Sequence, residues 1–369
     1  MKTYPAIWDA VIVGGGPAGM VAALRLASAH RVLVLEQRTE DTARIGESLP
    51  PACRPLLRDL GLLDLVRGHR PYIGNRTLWG DNQVATHDFG RDPHGTGWHL
   101  DRASFDGSLR HFAASCGVTL RRGVTVAALE REDGRWRMMT SAGERIDAGV
   151  LIDATGRGAA IAHRLGARRR IQDRLTGLYS ILQHDGASSD DGFSRIEASD
   201  DGWWYTAPLP NGSRVVAYHT DSDRPSLRQF AVADRFMAAL KSTRMIAKEV
   251  DLDGARMTHA PRAVPAHSAA ADPPIGEGWL AVGDAALSLD PLSSQGLLNA
   301  LFTGMAGGDT AIAMLEDDSA AQHAYQARLS AIRSAYRANL AYYYGSESIG
   351  RYEPFWTRRA PDWRRSMAN

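Results

Sequence analysis

Lysine is almost missing from this sequence. Of the 43 basic residues among 369, only Lys2, Lys241 and Lys248 are lysines, and the rest are arginines. Chemistry that needs a lysine amine, as nucleophile or Schiff base, has almost nowhere to sit. Cysteine is nearly as scarce. Cys53 and Cys116 exclude a disulfide framework and a cysteine metal cluster, and each reads as a small core residue. That usage suits a reducing compartment, so a cytoplasmic location is expected. No apolar run approaches the roughly 20 residues of a membrane span, and no basic and apolar leader precedes the first strand-like run, so no membrane attachment is expected. The formal net charge is +1, too small to steer the protein toward nucleic acid. No internal repeat or low-complexity tract stands out.

What is present is a soluble-type composition, 44% hydrophobic and 23% charged, in a chain long enough for one large or two intertwined domains. Its organising stretch runs from Asp9 to Arg38. Ala10 to Val13 is a short apolar run, too short for a helix before the glycines. Gly14, Gly16 and Gly19 then fall at the spacing of the dinucleotide fingerprint. The first permits the tight turn, the second lets backbone approach a pyrophosphate, and the third lets helix and strand pack closely. Pro17 suits a first helical turn, and Ala18, Met20, Ala22, Ala23 and Leu26 continue the helix. Arg31 to Leu35 is a second buried strand. It ends at Glu36, 22 residues after Gly14, placed to accept hydrogen bonds from a ribose. An adenine dinucleotide is expected here, FAD or NAD.

Further on, 53–69 shows helical leucine spacing with Gly61 as a stop. A strand at Trp98 to Leu100 leads to a helix with Ser104 as N-cap. Residues 118–152 read as a meander with a turn at Asp133–Gly134, returning into a buried strand at Val150 to Ile152. Between about 167 and 270 the pattern changes to longer alternating strands, with a hairpin at Asn211–Gly212 and one helix over 226–243. A parallel-sheet strand returns at Trp279 to Val282. A long helix over 290–317 and another over 320–344 follow, then an aromatic tail. The expected fold class is α/β (α+β overall). A Rossmann-type dinucleotide domain (1–70, 98–166 and 274–318) interleaves with an antiparallel-sheet substrate domain (71–97 and 167–273). Residues 319–369 add a C-terminal helix and tail.

A second anchor lies in this last third. Gly283 and Asp284 end a strand at its carboxyl end, where ligands bind in open α/β sheets. Asp290-Pro291 leads into a turn whose following helix presents bare N–H groups near Ser294, Gln295 and Gly296, favourable to negative charge.

GGGPAG, HLDR (99–102), DATGR (153–157) and GDAALSLDPLSSQG (283–296) together resemble the FAD-dependent monooxygenase and halogenase superfamily, with a fold like that of p-hydroxybenzoate hydroxylase. The resemblance implies FAD as cofactor. Gly14, Gly16, Ala18, Gly19, Glu36, Gln37 and Arg38 would hold the ADP part, with Arg102 along the pyrophosphate or ribityl chain and the Val126 backbone at the adenine. Gly283, Asp284, Pro291, Ser294, Gly296 and Leu297 would hold the flavin end. GESLPP (46–51) is similar to the strap over the flavin in the halogenase-like branch, which brings Glu47 and Ser48 to the cofactor. GWWYTAPLP (202–210) loosely resembles that branch's tryptophan motif and makes Trp203 and Tyr205 candidate substrate contacts. Three consecutive aromatics must point to both faces of a strand, so they cannot all serve one pocket.

Two departures speak against halogenation. That family's lysine is expected about thirty residues after GES, and Arg76 is only the nearest basic residue. Arginine stays protonated and is a poor nucleophile. Where tryptophan halogenases carry a glutamate, this chain has Ser293. Across nearly its whole length the sequence looks like the flavoprotein maturases that accompany lysine ε-oxidase and glycine oxidase, whose cofactor is cysteine tryptophylquinone. That implies a flavin monooxygenase hydroxylating an aromatic ring, a tryptophan in a precursor protein. Electron donors compatible with it are NAD(P)H or a separate flavin reductase. His99, Ser293 and Gln295 are the candidate catalytic side chains, His99 as a proton carrier near neutral pH. A halogenase-like enzyme for a small aromatic metabolite, a geranylgeranyl-reductase-like flavin reductase and a non-enzymatic flavoprotein chaperone are the competing readings.

Overall fold

The computed structural model describes residues 6–80, 83–183, 191–347 and 352–360; residues 361–369 of the aromatic tail and Lys2 lie outside them. Strand β1 (Ala6–Val13), helix α1 (Pro17–Ala27) and strand β2 (Val32–Glu36) form the opening unit. Strand β1 pairs in parallel with β2 on one side and with Arg145–Asp153 on the other, at the centre of an eight-stranded sheet. Ala10–Val13 and Val32–Leu35 are buried apolar runs, as parallel strands covered on two faces must be.

The chain enters this sheet three separate times. Thr119–Arg122 pairs in parallel with β2 and so belongs to the main sheet, not to the meander expected there. The meander proper is Val126–Glu132, Arg135–Thr140 and Arg145–Asp153. The sequence had placed only 150–152 in the buried strand. In fact one long strand serves both arrangements: its first half pairs with the meander and its second half with Trp279–Ala281. Asp133 and Gly134 both have positive φ, 51° and 77°, as the hairpin turn requires.

A second eight-stranded sheet carries Leu175–Gln183, Arg214–Asp221, Gly202–Pro208 and Phe193–Ser199 in antiparallel order. Gly74–Leu78 joins the last of these in parallel, so a segment from early in the chain completes a sheet built mostly from its middle. Helices cover the outer face. The expected single helix at 226–243 is two, Pro225–Phe230 and Ala233–Lys241, broken where Val232 is extended. The break lets Phe230 and Phe236 both pack on Trp204, at ring separations of 5.9 and 4.9 Å.

Helix Gly296–Leu315 lies along α1. It starts later than its sequence suggests, because Pro291–Ser293 forms a 3-10 turn and Ser294 takes φ 51° before the helix can begin. Helix Ser319–Ser346 follows, and a single turn, Pro354–Thr357, lies at the end of the described chain. None of the described helices is long and apolar enough to cross a membrane.

Candidate active site

The glycine turn is closed by Gly14 N–H donating to the Leu35 carbonyl at 2.8 Å. Gly14 has φ +114°, and a Cβ there would run into the Ala154 carbonyl. A Cβ on Gly19 would strike the carbonyl of Gly14, which is the close helix–strand approach expected of it. Gly16 differs: a Cβ there meets nothing within 4 Å, so its backbone borders open space at the start of α1. The Glu36 carboxylate accepts from Gly15 N–H at 2.6 Å and from Arg38 N–H at 2.8 Å. An ionised carboxylate has about four acceptor positions, so two remain for a ribose. Gln37 and Arg38 are exposed beside it.

Around this turn stands a group of arginines. Arg102 opens the helix Arg102–Ser115, donates to the Gly46 carbonyl at 2.8 Å and pairs with Asp106 at 3.2 Å. The cap of that helix is Asp101, which accepts from Ser104 N–H; Ser104 lies within the first turn and does not cap it. About two turns further along the same face, Arg110 donates to the Gly15 carbonyl at 2.7 Å and pairs with Asp41. Arg44 pairs with Asp106 at 2.8 Å. Burial, joined by the nearby charges of Arg102, Arg38 and Arg110, holds the Arg44 guanidinium below its ordinary value despite Asp106. The Nε atoms of Arg44 and Arg110 are buried without a partner. Crowded positive charge and orphaned donors beside an open glycine backbone fit a pyrophosphate. Arg44 and Arg110 carry no motif; the only sequence sign is the spacing Arg102, Asp106, Arg110, which puts all three on one helical face.

At the far end, Gly283 N–H donates to Thr303 Oγ1 at 2.8 Å. Burial raises the Asp284 carboxyl above its ordinary value, opposed by Arg157, whose Nε lies 3.5 Å away, and by Arg169 and Arg102. Arg157, from DATGR, also donates to the carbonyls of His267 and Leu289. Asp153 of the same motif is consumed internally, accepting from Thr155 and from Ala162 N–H. Pro291 begins the 3-10 turn. A Cβ on Gly296 meets nothing within 4 Å, so the helix N-terminus there, like Gly16, faces open space; Leu297 behind it is buried. Val126 stands at a strand start with its carbonyl accepting from Arg164 at 2.7 Å.

Between the two ends lies a buried polar seam. Ser48–Leu49, the strap strand, pairs with Gly97–His99. Glu47 is 2% exposed, and its carboxylate accepts from Gly46 N–H at 3.0 Å and from the Tyr205 hydroxyl, which also meets Ser48 Oγ at 2.7 Å. Tyr205 thus joins the strap to the second sheet. Trp203, on the same face, donates its indole N–H to Tyr344 Oη at 3.1 Å, and Tyr344 donates to Asp290 Oδ2 at 2.8 Å. Asp290, one residue before the 3-10 turn, is pushed up to about 6 by burial. Trp204 turns to the other face.

Three candidates change role. His99 is fully buried against Tyr72, with ring centroids 4.4 Å apart and Nε2 3.3 Å from the Gly192 carbonyl. Burial lowers it to about 3, so it stays neutral near pH 7 and cannot carry a proton there. Ser293 Oγ donates to the Asp290 carbonyl at 2.7 Å and accepts from Gln295 N–H, so it builds the turn. Gln295 serves as the N-cap position of the long helix, its carbonyl accepting from Asn299 N–H. Asp290 and Tyr344 are the residues that motif reading passed over; the signal for Asp290 was its place in DPLSSQG, whereas Tyr344 had none beyond being aromatic.

A parallel sheet with a glycine turn, an arginine-rich rim and a distant helix N-terminus defines a two-ended dinucleotide site of the flavoprotein type. The tryptophan halogenase family model matches residues 9–68 and 81–364, and the chain belongs to that family, as an FAD-dependent oxidoreductase. It is 31% identical over 362 residues, 95% of this chain and 96% of the other, to LodB of Marinomonas mediterranea, whose name describes it as an FAD-dependent oxidoreductase. It is 26% identical to the 1H-pyrrole-2-carbonyl-[peptidyl-carrier protein] chlorinase of Pseudomonas fluorescens, over 84% of this chain and 77% of that one. Among solved structures, the myxobacterial chondrochloren halogenase CndH superposes with TM-score 0.86 at 23% identity, covering 99% of this chain and 89% of that one. The peptidyl tryptophan dihydroxylase QhpG, of tryptophylquinone cofactor biogenesis, superposes with TM-score 0.76 at 24% identity, covering 96% and 79%.

Proposed function

We propose that this protein hydroxylates an aromatic ring, a tryptophan side chain in a precursor polypeptide, and does not halogenate. The observation that carries this is where the cations are. Among the described residues the lysines are Lys241 and Lys248, both on the helical layer outside the second sheet. Arg76, nearest the halogenase lysine position, points to that same layer, 3.1 Å from Glu249 and 3.3 Å from Asp191. No amine among these residues is available to carry an activated halogen on the strap side of the sheet. The name of QhpG supports oxidation of a peptidyl tryptophan over a free metabolite.

FAD would be held by the glycine turn, Glu36 and the arginine rim at one end and by Asp284 and the Ser294–Gly296 turn at the other. It supplies oxygen activation, the part of the chemistry that side chains cannot. The chain's own residues shape the site and handle a proton. Two buried carboxyl–phenol pairs, Glu47–Tyr205 and Asp290–Tyr344, flank the Trp203 face. Asp290, at about 6, is poised to accept a ring proton near neutral pH. Neutral His99 and Tyr72 keep the strap packed.

The test is mass spectrometry of a tryptophan-containing peptide after incubation with FAD-loaded, reduced protein, oxygen and bromide. Oxygen insertion without bromination is expected. Bromination would overturn the reading, and the same oxygenated product formed equally well without oxygen would remove the monooxygenase assignment.

A further inference from the structure

Two arginines brace the loop that carries the flavin end, and neither hydrogen-bonds the carboxylate between them. Asp284 follows Gly283, which has φ +58° and lies so close to the first turn of α1 that a Cβ there would come within 2.7 Å of Ala18 Cβ. The loop is therefore set directly against the dinucleotide turn. Arg157 donates its two terminal nitrogens to the carbonyls of His267 and Leu289, at 2.7 and 2.8 Å, and leaves only Nε toward the Asp284 carboxylate, 3.5 Å away. Arg169, from the strand Arg168–Ile171, donates to the Ala285 carbonyl at 3.0 Å, the Asp284 carbonyl at 2.9 Å and Ser288 Oγ at 2.8 Å. Its Nε is buried without a partner.

Asp153, from the same motif as Arg157, shows what a carboxylate used only for building looks like. It is fully buried and accepts from Thr155 N–H, the Thr155 hydroxyl and Ala162 N–H. Asp284 is the opposite. Among the described residues nothing donates a hydrogen bond to its carboxylate, and its side chain is 33% exposed although Gly283 and Ala285 on either side are buried. Burial opposes its charge, and Arg157, Arg169 and Arg102 counter that effect. An ionised carboxylate has about four acceptor positions, and the chain consumes none of them. A structural ion pair would close the gap to Arg157. A carboxylate kept for the hydroxyl donors of a ligand needs it open.

We propose that Arg157 and Arg169 are positioning residues for FAD, holding the Asp284 carboxylate charged and in place, with its acceptor positions free for hydroxyls at the flavin end of the cofactor. The proposal rests on the placement of FAD given above and is independent of the hydroxylase reading. Arg157 supplies the charge nearest the carboxylate, and Arg169 fixes the backbone that carries it. The other ionisable groups at this place are Arg102, Asp153 beside Arg169, and His267 and His219, which both feel the Arg157 charge; Asp173 faces His267.

The experiment measures FAD affinity by equilibrium dialysis of the FAD-loaded full-length protein between pH 8 and pH 6. Asp284→Ala should weaken binding roughly tenfold at both ends of the range, as expected for a lost hydrogen bond to a charged group. No loss takes Asp284 out of the FAD site and overturns the proposal together with that placement. Arg157→Gln should lose about threefold in affinity from pH 8 to pH 6, because the carboxyl without its nearest cation takes up a proton as the pH falls. Arg157→Lys keeps the charge and should hold its affinity across the range. The double variant Arg157→Gln, Asp284→Asn should show no pH dependence. A level profile for Arg157→Gln, or an equal fall in Arg157→Lys, overturns the proposal and leaves the FAD placement standing. So does a fall that persists in the double variant, since a histidine then carries the proton. If Arg157→Gln does not fold, the ratio of affinities of Asp284→Asn and the unmodified protein is followed instead. It should stay constant from pH 8 to pH 6, and a ratio that closes as the pH falls shows Asp284 protonating beside both arginines, which overturns the proposal.

Discussion

Trp203 and Trp204 are neighbours in one strand and have opposite surroundings. Trp204 faces the helical layer, among Tyr218, Phe230 and Phe236, in a cluster of apolar side chains. Trp203 faces the strap and the chain's end, stacked on His219 at 3.8 Å, its nitrogen tied through Tyr344 to a buried carboxyl. One face of the sheet is a core. The other is aromatic too, but Trp203, Tyr205, Tyr344 and Trp356 there each carry a polar atom with an assigned partner. Polar handles on buried rings are costly unless satisfied, and on this face they are concentrated beside the strap. The unpaired Nδ1 atoms of His99 and His219 lie in this same inner layer.

The contrast can be broken most severely on the core side. Trp204→Ala should cost about 3–5 kcal/mol, the usual range for a buried aromatic, while the folded fraction keeps its FAD affinity; denaturant unfolding with flavin titration checks both. On the other face, Tyr205→Phe removes the hydroxyl that Glu47 accepts from. A buried carboxylate left short of a donor should cost about 1–3 kcal/mol, and this variant, unlike the first, should lower hydroxylation per folded molecule.

The inner face should also respond to pH, in two opposite senses. His219 is held near 3 by burial, against about 6.5 when unfolded. The unfolded state therefore binds the extra proton, and stability is lost as pH falls from about 6.5 toward 3. The slope is about 1.4 kcal/mol per pH unit. His219→Phe should flatten the fall in unfolding free energy between pH 7 and 5 by about 2 kcal/mol in total. Asp290 works in reverse: raised to about 6, it gives the folded state the extra proton, so its contribution declines as pH rises from about 4 to 6. Asp290→Asn should remove that decline. The smallest effect belongs to Arg76→Ala. Its partly exposed ion pairs should be worth under about 1 kcal/mol, with hydroxylation unchanged, because the residue belongs to the outer layer.

The dinucleotide end was plain in the residues because its requirements are local. A glycine at positive φ, a glycine beside open space and an acid after the second strand all lie within Asp9 to Arg38. The alternating faces at 203–205 were legible for the same reason, since a strand's period is two. What could not be read was assembled across the chain. Tyr344 and Trp203 are 141 residues apart, and no pattern in either neighbourhood announces the other. His99 looked like a proton carrier because histidine's unperturbed value is near neutral; burial, a property of the whole fold, removed that role. The expected single helix over 226–243 failed where two phenylalanines needed to reach one tryptophan, a demand that propensity does not encode.

The scarcity of lysine has a practical side. Lys241 and Lys248 both lie on the helices behind the second sheet, and Lys241 is half exposed, 3.7 Å from Asp253. An amine-reactive label on either of these two lysines would stand on that surface and not at the strap or the glycine turn. A fluorophore or an immobilisation linker attached there would sit on the side away from Trp203, which makes the protein well suited to surface-captured binding assays.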